Sequence, residues 1–202
     1  MTTNELKQPF FVIIGPSGSG KTKVSEAVFP AKTKVISHTT RPKRTGEIEG
    51  KDYYFNTQVQ FEALIQQQAL AEYDYYQGHY YGVAIADLLK KTREHYAYDV
   101  LTFKGFQAIR MHFGERVIPI FFDISKENVR ERLEQRETDA QIIQTRLASY
   151  ETDMKQKAHL QQYPDVFVID ANQSFADVVE QLKAVVRQVM ASFVSLGSEE
   201  SE

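Results

Sequence analysis

The stretch "FFVIIGPSGSGKTKVSEAVF", residues 10–29, runs from an apolar block through a glycine-rich turn into a helical pattern. Consecutive apolar residues without alternation read as a strand covered on both faces, as in parallel sheets. Gly15, Gly20, Lys21 and Thr22 fit G-x-x-x-x-G-K-[ST]. A chance match somewhere in a chain of this size is on the order of 1%. Glycines let backbone N–H groups turn inward on phosphate oxygens, and the helix N-terminus adds partial positive charge. Pro16, Ser17, Gly18 and Ser19 complete the turn, the two serines adding hydroxyl donors. Lys21 is expected to reach the β- and γ-phosphates and Thr22 to offer its hydroxyl to Mg²⁺. The turn reads as an ATP or GTP site.

The rest of the composition narrows the setting. At 202 residues the chain is most simply one domain, with room for small inserted subdomains. It has no cysteine, which excludes disulfides and thiol chemistry and fits a reducing cytoplasm. "MTTNELKQP" carries no readable signal peptide, and no apolar run is long enough for a membrane span, so a soluble cytoplasmic protein is expected. A net charge of −3 gives no global pull towards nucleic acid or acidic lipid. The basic run "RPKR" does not outweigh that, so the expected partners are small molecules, with neither nucleic acid nor membrane.

Strands are expected in "KTKVISHTT" (32–40), "YAYDVLTF" (96–103), "RVIPIFF" (116–122) and "DVFVIDA" (165–171), alternating with helical patterns. That alternation implies an α/β fold with a central parallel sheet. Between residues 51 and 84 the pattern changes to short aromatic strands around one helical piece, 59–68, as in a small inserted subdomain. Residues 126–160 read as a long charged helical stretch interrupted near "ETD" (137–139).

The next informative stretch is "SHTTRPKRTGEIEGKDYYF", residues 37–55. Arg41 and Arg44 lie three apart in a loop, and a guanidinium fork binds phosphate bidentately. S-x-T-T-R-x-x-R-x-G-E-x-x-G-x-D-Y-x-F, continued by "LAEYDYYQGHYYG", resembles the acceptor-binding signature of guanylate kinases. The resemblance covers nearly the whole chain. It implies a P-loop NTPase three-layer fold, with core segments 8–36, 96–130 and 160–195, a nucleotide-acceptor subdomain at about 37–90 and a helical lid at about 131–159. It further implies that Arg41, Arg44, Tyr53 and Tyr81 hold the GMP phosphate and that Ser37 and Glu72 face guanine. Arg132, Arg136 and Arg146 correspond to lid arginines that close over the phosphates, and with Lys21 and Arg41 they form the expected catalytic set. Tyr73, Tyr75, Tyr76 and Tyr80 read instead as cross-strand aromatic pairs.

The chain also departs from the family pattern. A strand bearing D-x-D before a glycine becomes "DVLTFKG", with Val100 and Thr102 at the acid positions when aligned on Gly105. Asp99 stands one residue off, and strand alternation points it away from the site. Val83 replaces a hydroxyl residue near guanine, Asp170 replaces an asparagine, and Glu137 a glycine in the lid. Asp123, at the end of a strand, is a substitute acid for Mg²⁺ or a turn residue opening the next helix.

The expectation is therefore ATP + GMP giving ADP + GDP with Mg²⁺, in a monomer or homodimer. Two alternatives stay open: a divergent module that binds a phosphorylated partner through Arg41 and Arg44, and a kinase for another small phosphorylated acceptor.

Overall fold

Phe10–Ile14 forms β1 and is buried along its whole length. Each such side chain contributes about 1.5–3 kcal/mol by leaving water. The computed structural model describes residues 5–76, 78–135 and 139–199. Gly15 ends β1 at φ 147°, and a Cβ there would lie 2.8 Å from the carbonyl oxygen of Phe122. Only glycine tolerates both that conformation and that approach. Helix α1 (Lys21–Val28) opens directly after Gly20, itself at φ 91°.

Four strands follow the hydrogen-bonded order β6-β1-β7-β8, where β6 is Ala97–Val100, β7 Val117–Asp123 and β8 Phe167–Asp170. Strands β7 and β8 pair in parallel from Ile120↔Phe167 to Asp123↔Asp170. The chain divides into two compact units: Met1–Val12 with Ala31–Ile118, and Ile13–Pro30 with Pro119–Glu202.

The first unit holds a second sheet, in the order β3-β2-β5-β4: β2 is His38–Thr39, β3 Tyr54–Phe55, β4 Leu70–Tyr76 and β5 His79–Ala84. Strands β4 and β5 form an antiparallel hairpin in which Tyr75 faces Tyr80. The Tyr75 and Tyr80 rings meet edge on at 5.0 Å, and Tyr80 stacks on Phe61 at 5.3 Å. Helix α2 (Gln58–Gln66) starts in a capping box: Thr57 accepts from the Gln60 N–H while the Gln60 side chain returns to Thr57. Helices α3 (Ile85–Lys91) and α4 (Phe103–Phe113) complete the unit, α4 being capped by Thr102.

The expected strand over 32–40 is a correction. Lys34 makes only an isolated parallel bridge to Tyr98, and regular pairing is confined to His38–Thr39 in the second sheet. The Ile36 N–H, which a continuous strand would offer to a ladder, donates instead to Asp87 Oδ2, and pairing resumes only where the Ser37 carbonyl accepts the Tyr54 N–H of β3.

The second unit carries α5 (Lys126–Glu134), α6 (Ala140–Ala148), α7 (Tyr150–Leu160) and α8 (Phe175–Glu199). Among the described residues the charged stretch thus forms three helices. Asp139 caps α6 through the Gln141 and Ile142 N–H groups. A further break, unforeseen in the sequence, falls at Ser149, whose hydroxyl bonds the Arg146 carbonyl and so competes with helix continuation. Among the described residues no helix is long and apolar enough to cross a membrane.

Candidate active-site residues

In the second unit the glycine-rich turn wraps the head of one side chain. Lys21 Nζ donates to the carbonyl oxygens of Gly15 at 2.6 Å and Pro16 at 2.7 Å. Positive φ at Gly15, Gly18 and Gly20 lets the backbone turn this tightly. Crowding by the loop strips water from the ammonium and lowers its pKa to about 8, with Asp153 of α7 pulling the other way. Burial raises the Asp153 carboxyl, opposed by the Ser17 N–H and by Lys21. Thr22 is exposed at the first turn of α1, and Ser19 is buried.

Arg132, on α5, lies against the same turn. Its Nη1 donates to the Ser19 carbonyl at 3.0 Å and its Nη2 to the Ala171 carbonyl at 2.7 Å. A Cβ on Gly20 would sit 3.5 Å from that guanidinium. Arg146 is half-buried near the end of α6. Arg136 and Glu137 lie outside the described residues. Asp123, at the end of β7, pairs with Lys157 Nζ at 2.5 Å rather than serving only as a turn residue. Asp170 is held below the ordinary carboxylate range by hydrogen bonds from Gln173 and Asn172.

The first unit gathers the residues expected on the acceptor side. Arg41 is buried and makes a two-pronged pair with Glu47, Nη2 to Oε1 at 2.6 Å and Nη1 to Oε2 at 3.0 Å. Hydrogen bonding to Glu47 raises the guanidinium further, and the same bond holds Glu47 below the usual carboxylate range. Arg41 also lies over the Tyr53 ring, 5.4 Å from its centroid. Tyr53 meets Tyr81 edge on at 6.0 Å. Burial, reinforced by Asp99, pushes the Tyr53 hydroxyl up to about 12, so it is a neutral donor. Arg44 is exposed and contributes its backbone N–H to Glu47 at 2.8 Å.

Glu72, on β4, is 7% exposed, and its carboxyl is raised to about 8 by burial first and then by Asp99 and Asp74. A Cβ on Gly105 would come 2.9 Å from Glu72 Oε2, so this glycine keeps room for the carboxyl. Ser37 Oγ donates to Asp99 Oδ2 at 2.5 Å. Asp99 is therefore the second correction. Strand alternation pointed it away, yet it is 5% exposed, bonded to Ser37, and raised to about 6 by burial. Strand β6 stops at Val100 and Thr102 turns into the α4 cap, so the alternation on which that expectation rested does not run on from Val100 to Thr102.

Sequence reasoning also passed over Glu47, Asp153 and Lys157. Glu47 was legible as the acid of R-T-G-E, three residues after Arg44. Asp153 and Lys157 carried no local signal, because only the folded second unit brings them to Lys21 and Asp123. His38, beside Ser37, bonds Asn56 Oδ1 and stacks on Tyr54, which is a structural role.

Comparison with known proteins shows the family. The family model "Guanylate kinase" matches residues 7–189. A guanylate kinase of Dechloromonas aromatica (strain RCB) is 33% identical over 199 residues, covering 94% of this chain and 92% of that protein. One of Coxiella burnetii (strain RSA 493 / Nine Mile phase I) is 33% identical over 187 residues, covering 89% and 87%. Among solved structures, guanylate kinase from Anaplasma phagocytophilum superposes with a TM-score of 0.64 at 25% identity, covering 91% of this chain and 87% of that one. A gluconokinase from Sinorhizobium meliloti 1021, at 14% identity and a TM-score of 0.53, shares the fold alone. With a phosphate turn closed around Lys21, an arginine fork beside two tyrosines and a family match over most of its length, the chain belongs to the guanylate kinase family.

Proposed function

We propose that the protein transfers the terminal phosphoryl group of ATP to GMP, giving ADP and GDP. The observation that carries this reading is the buried Glu72 carboxyl in a chain of this family. When ionised it accepts from guanine N1–H and N2–H₂ together, a donor pair the adenine edge lacks.

The roles of the residues follow from charge. ATP's phosphates meet backbone N–H groups of the turn between Ser17 and Thr22 and the Lys21 ammonium, which leaves the Gly15 and Pro16 carbonyls for them. Arg41, Arg44, Tyr53 and Tyr81 hold the GMP phosphate. The two tyrosines donate without adding charge. That oxygen forms a bond to the γ-phosphorus as the bond to the bridging oxygen of ADP breaks. No separate base is needed, since the acceptor is already an anion at neutral pH. Arg132, Arg136 and Arg146, in the lid read at about 131–159, neutralise the developing charge. Thr22, an exposed hydroxyl at the head of α1, belongs to the hard-oxygen donor set that Mg²⁺ prefers. When bound, Mg²⁺ supplies charge neutralisation on the nucleotide phosphates. Work in the cytoplasm fits this chemistry.

A second reading, phosphorylation of another small phosphorylated acceptor, is favoured by Val83, which is fully buried and offers no polar atom to a base. A coupled ADP-release assay with ATP and each of GMP, dGMP, AMP, UMP and CMP separates the two. GMP is expected to be turned over far faster than the others and not at all by Lys21→Ala. Equal rates above that control for several acceptors would favour the second reading, and no turnover at all would favour a binding module.

A further inference from the structure

A serine hydroxyl has one proton to give and two lone pairs with which to accept. In this protein the Ser37 proton is already committed. Ser37 Oγ donates to Asp99 Oδ2 at 2.5 Å, and both residues are buried. The second carboxylate oxygen, Oδ1, accepts the Val100 N–H at 2.8 Å, so Asp99 is held from both sides and cannot swing off Ser37 without losing a second bond.

We propose that Asp99 is a positioning residue that sets the polarity of the acceptor-base pocket: by holding the Ser37 proton it leaves Ser37 to face the base as a hydrogen-bond acceptor only. This rests on the reading of GMP as the acceptor. A hydrogen bond to a carboxylate is roughly twice as strong as one to a neutral carbonyl. Ser37 therefore keeps its proton on Asp99 rather than turning it to the 6-oxo group of a purine. Across the hairpin, the residue registered with Glu72 is Val83, fully buried and without a side-chain donor, its N–H being turned to Glu72. Ser37 and Glu72 then present lone pairs, which suit the N1–H and N2–H₂ edge of guanine and leave the 6-oxo oxygen unread by either. Lys34, Asp87, Tyr53 and Glu72 are the other charged or titratable groups within reach of Asp99. The acid is ionised, hence an acceptor, in mildly alkaline solution, since burial lifts it only to about 6.

The test compares binding of GMP and 6-thio-GMP to the full chain by calorimetry, with no turnover required. The thio analogue keeps N1–H and N2–H₂ and replaces the 6-oxo oxygen by a poor acceptor. Because the size of sulfur is common to every variant, the ratio of the two affinities is compared between variants rather than read alone. Wild type is expected to bind the two within about threefold, well under the loss of a full hydrogen bond. Ser37→Ala is expected to leave that ratio unchanged. Asp99→Leu frees the Ser37 proton and is expected to raise the preference for GMP by about fivefold or more. Should Asp99→Leu not fold, Ser37→Ala still decides. If it erases an existing GMP preference of about fivefold or more, Ser37 donates to the 6-oxo group and the proposal is overturned. IMP, which lacks N2–H₂, is expected to bind about tenfold more weakly than GMP, in line with the loss of a hydrogen bond to a charged group. If wild type binds neither GMP nor its thio analogue, the acceptor assignment itself falls and takes this inference with it; if GMP binds and only the Ser37→Ala ratio collapses, this inference falls alone.

Discussion

Arg41 and Glu47 meet end on, Nη1 and Nη2 against the two carboxylate oxygens, with contacts of 3.0 and 2.6 Å. Glu47 also accepts the Arg44 N–H, so one carboxylate closes the loop that carries both arginines. Nη1 also donates to the Pro42 carbonyl at 2.8 Å, so the guanidinium is held by its own loop from two sides. Glu47 is thus the group that aims Arg41.

Removing Glu47 follows directly. Glu47→Ala is expected to raise KM for GMP by about tenfold or more, the cost of losing a charge-assisted pair, with a smaller effect on kcat. Steady-state kinetics at saturating ATP checks this. An unchanged KM would mean that the loop keeps its shape through other contacts.

Gly105→Ala separates binding from stability. The new methyl would lie 2.9 Å from Glu72 Oε2 and displace the carboxyl, so GMP affinity is expected to fall by about tenfold. Gly105 sits within α4, where alanine is favoured over glycine by about 1 kcal/mol, so the melting temperature should hold or rise. Calorimetric titration beside a thermal melt reads both effects. Loss of stability with unchanged affinity would contradict the close approach.

Glu72 makes the unliganded protein sensitive to pH. Its folded pKa of about 8 lies above the ordinary carboxylate value, so between the two the native state binds more protons than the unfolded chain. Stability contributed this way is full at low pH and is lost as pH rises through about 8. Asp99, raised to about 6, acts in the same direction at lower pH. Melting temperature is expected to fall by roughly 5–10 °C from about pH 6 to about pH 8.5, and by less in Glu72→Gln. GMP binding should show the reverse. Guanine requires the ionised carboxylate, so affinity should climb towards tenfold per pH unit below about 8 and then level off.

Lys21 has the opposite dependence. Desolvation lowers its ammonium to about 8, and only the protonated form attracts phosphate. ATP affinity of the free enzyme is therefore expected to fall as pH rises above about 8, while GMP affinity does not. Titrating each nucleotide separately across that range distinguishes the two groups. A flat ATP profile would show that the loop does not perturb Lys21.

Much of this was readable before folding. The phosphate turn is local: Gly15, Gly18, Gly20 and Lys21 act through backbone geometry within a few residues, so spacing alone carries the information. The apolar run of β1 and the alternation of strands with helices pointed to a parallel α/β sheet for the same reason. Arg41, Tyr53 and Glu72 were singled out through their motif as expected site residues, and Arg41 and Glu72 are buried. The strand expected over 32–40 was not, because its backbone partners, Asp87 and Tyr54, come from elsewhere in the sequence. The break at Ser149 was hidden too, since serine breaks a helix only where its hydroxyl finds a backbone carbonyl.

What the chain determined by itself was therefore the phosphate turn, the α/β order and the list of charged residues able to grip phosphate, since these depend on residue type and near-neighbour spacing. The tertiary structure decided which of those groups are charged and which way their protons point. Ser37 and Asp99 are 62 residues apart in sequence, and Glu72 acquires its raised pKa from burial, from Asp99 on another strand and from Asp74 on its own. Desolvation and the direction of a shared proton are properties of a neighbourhood, and only the fold assembles it.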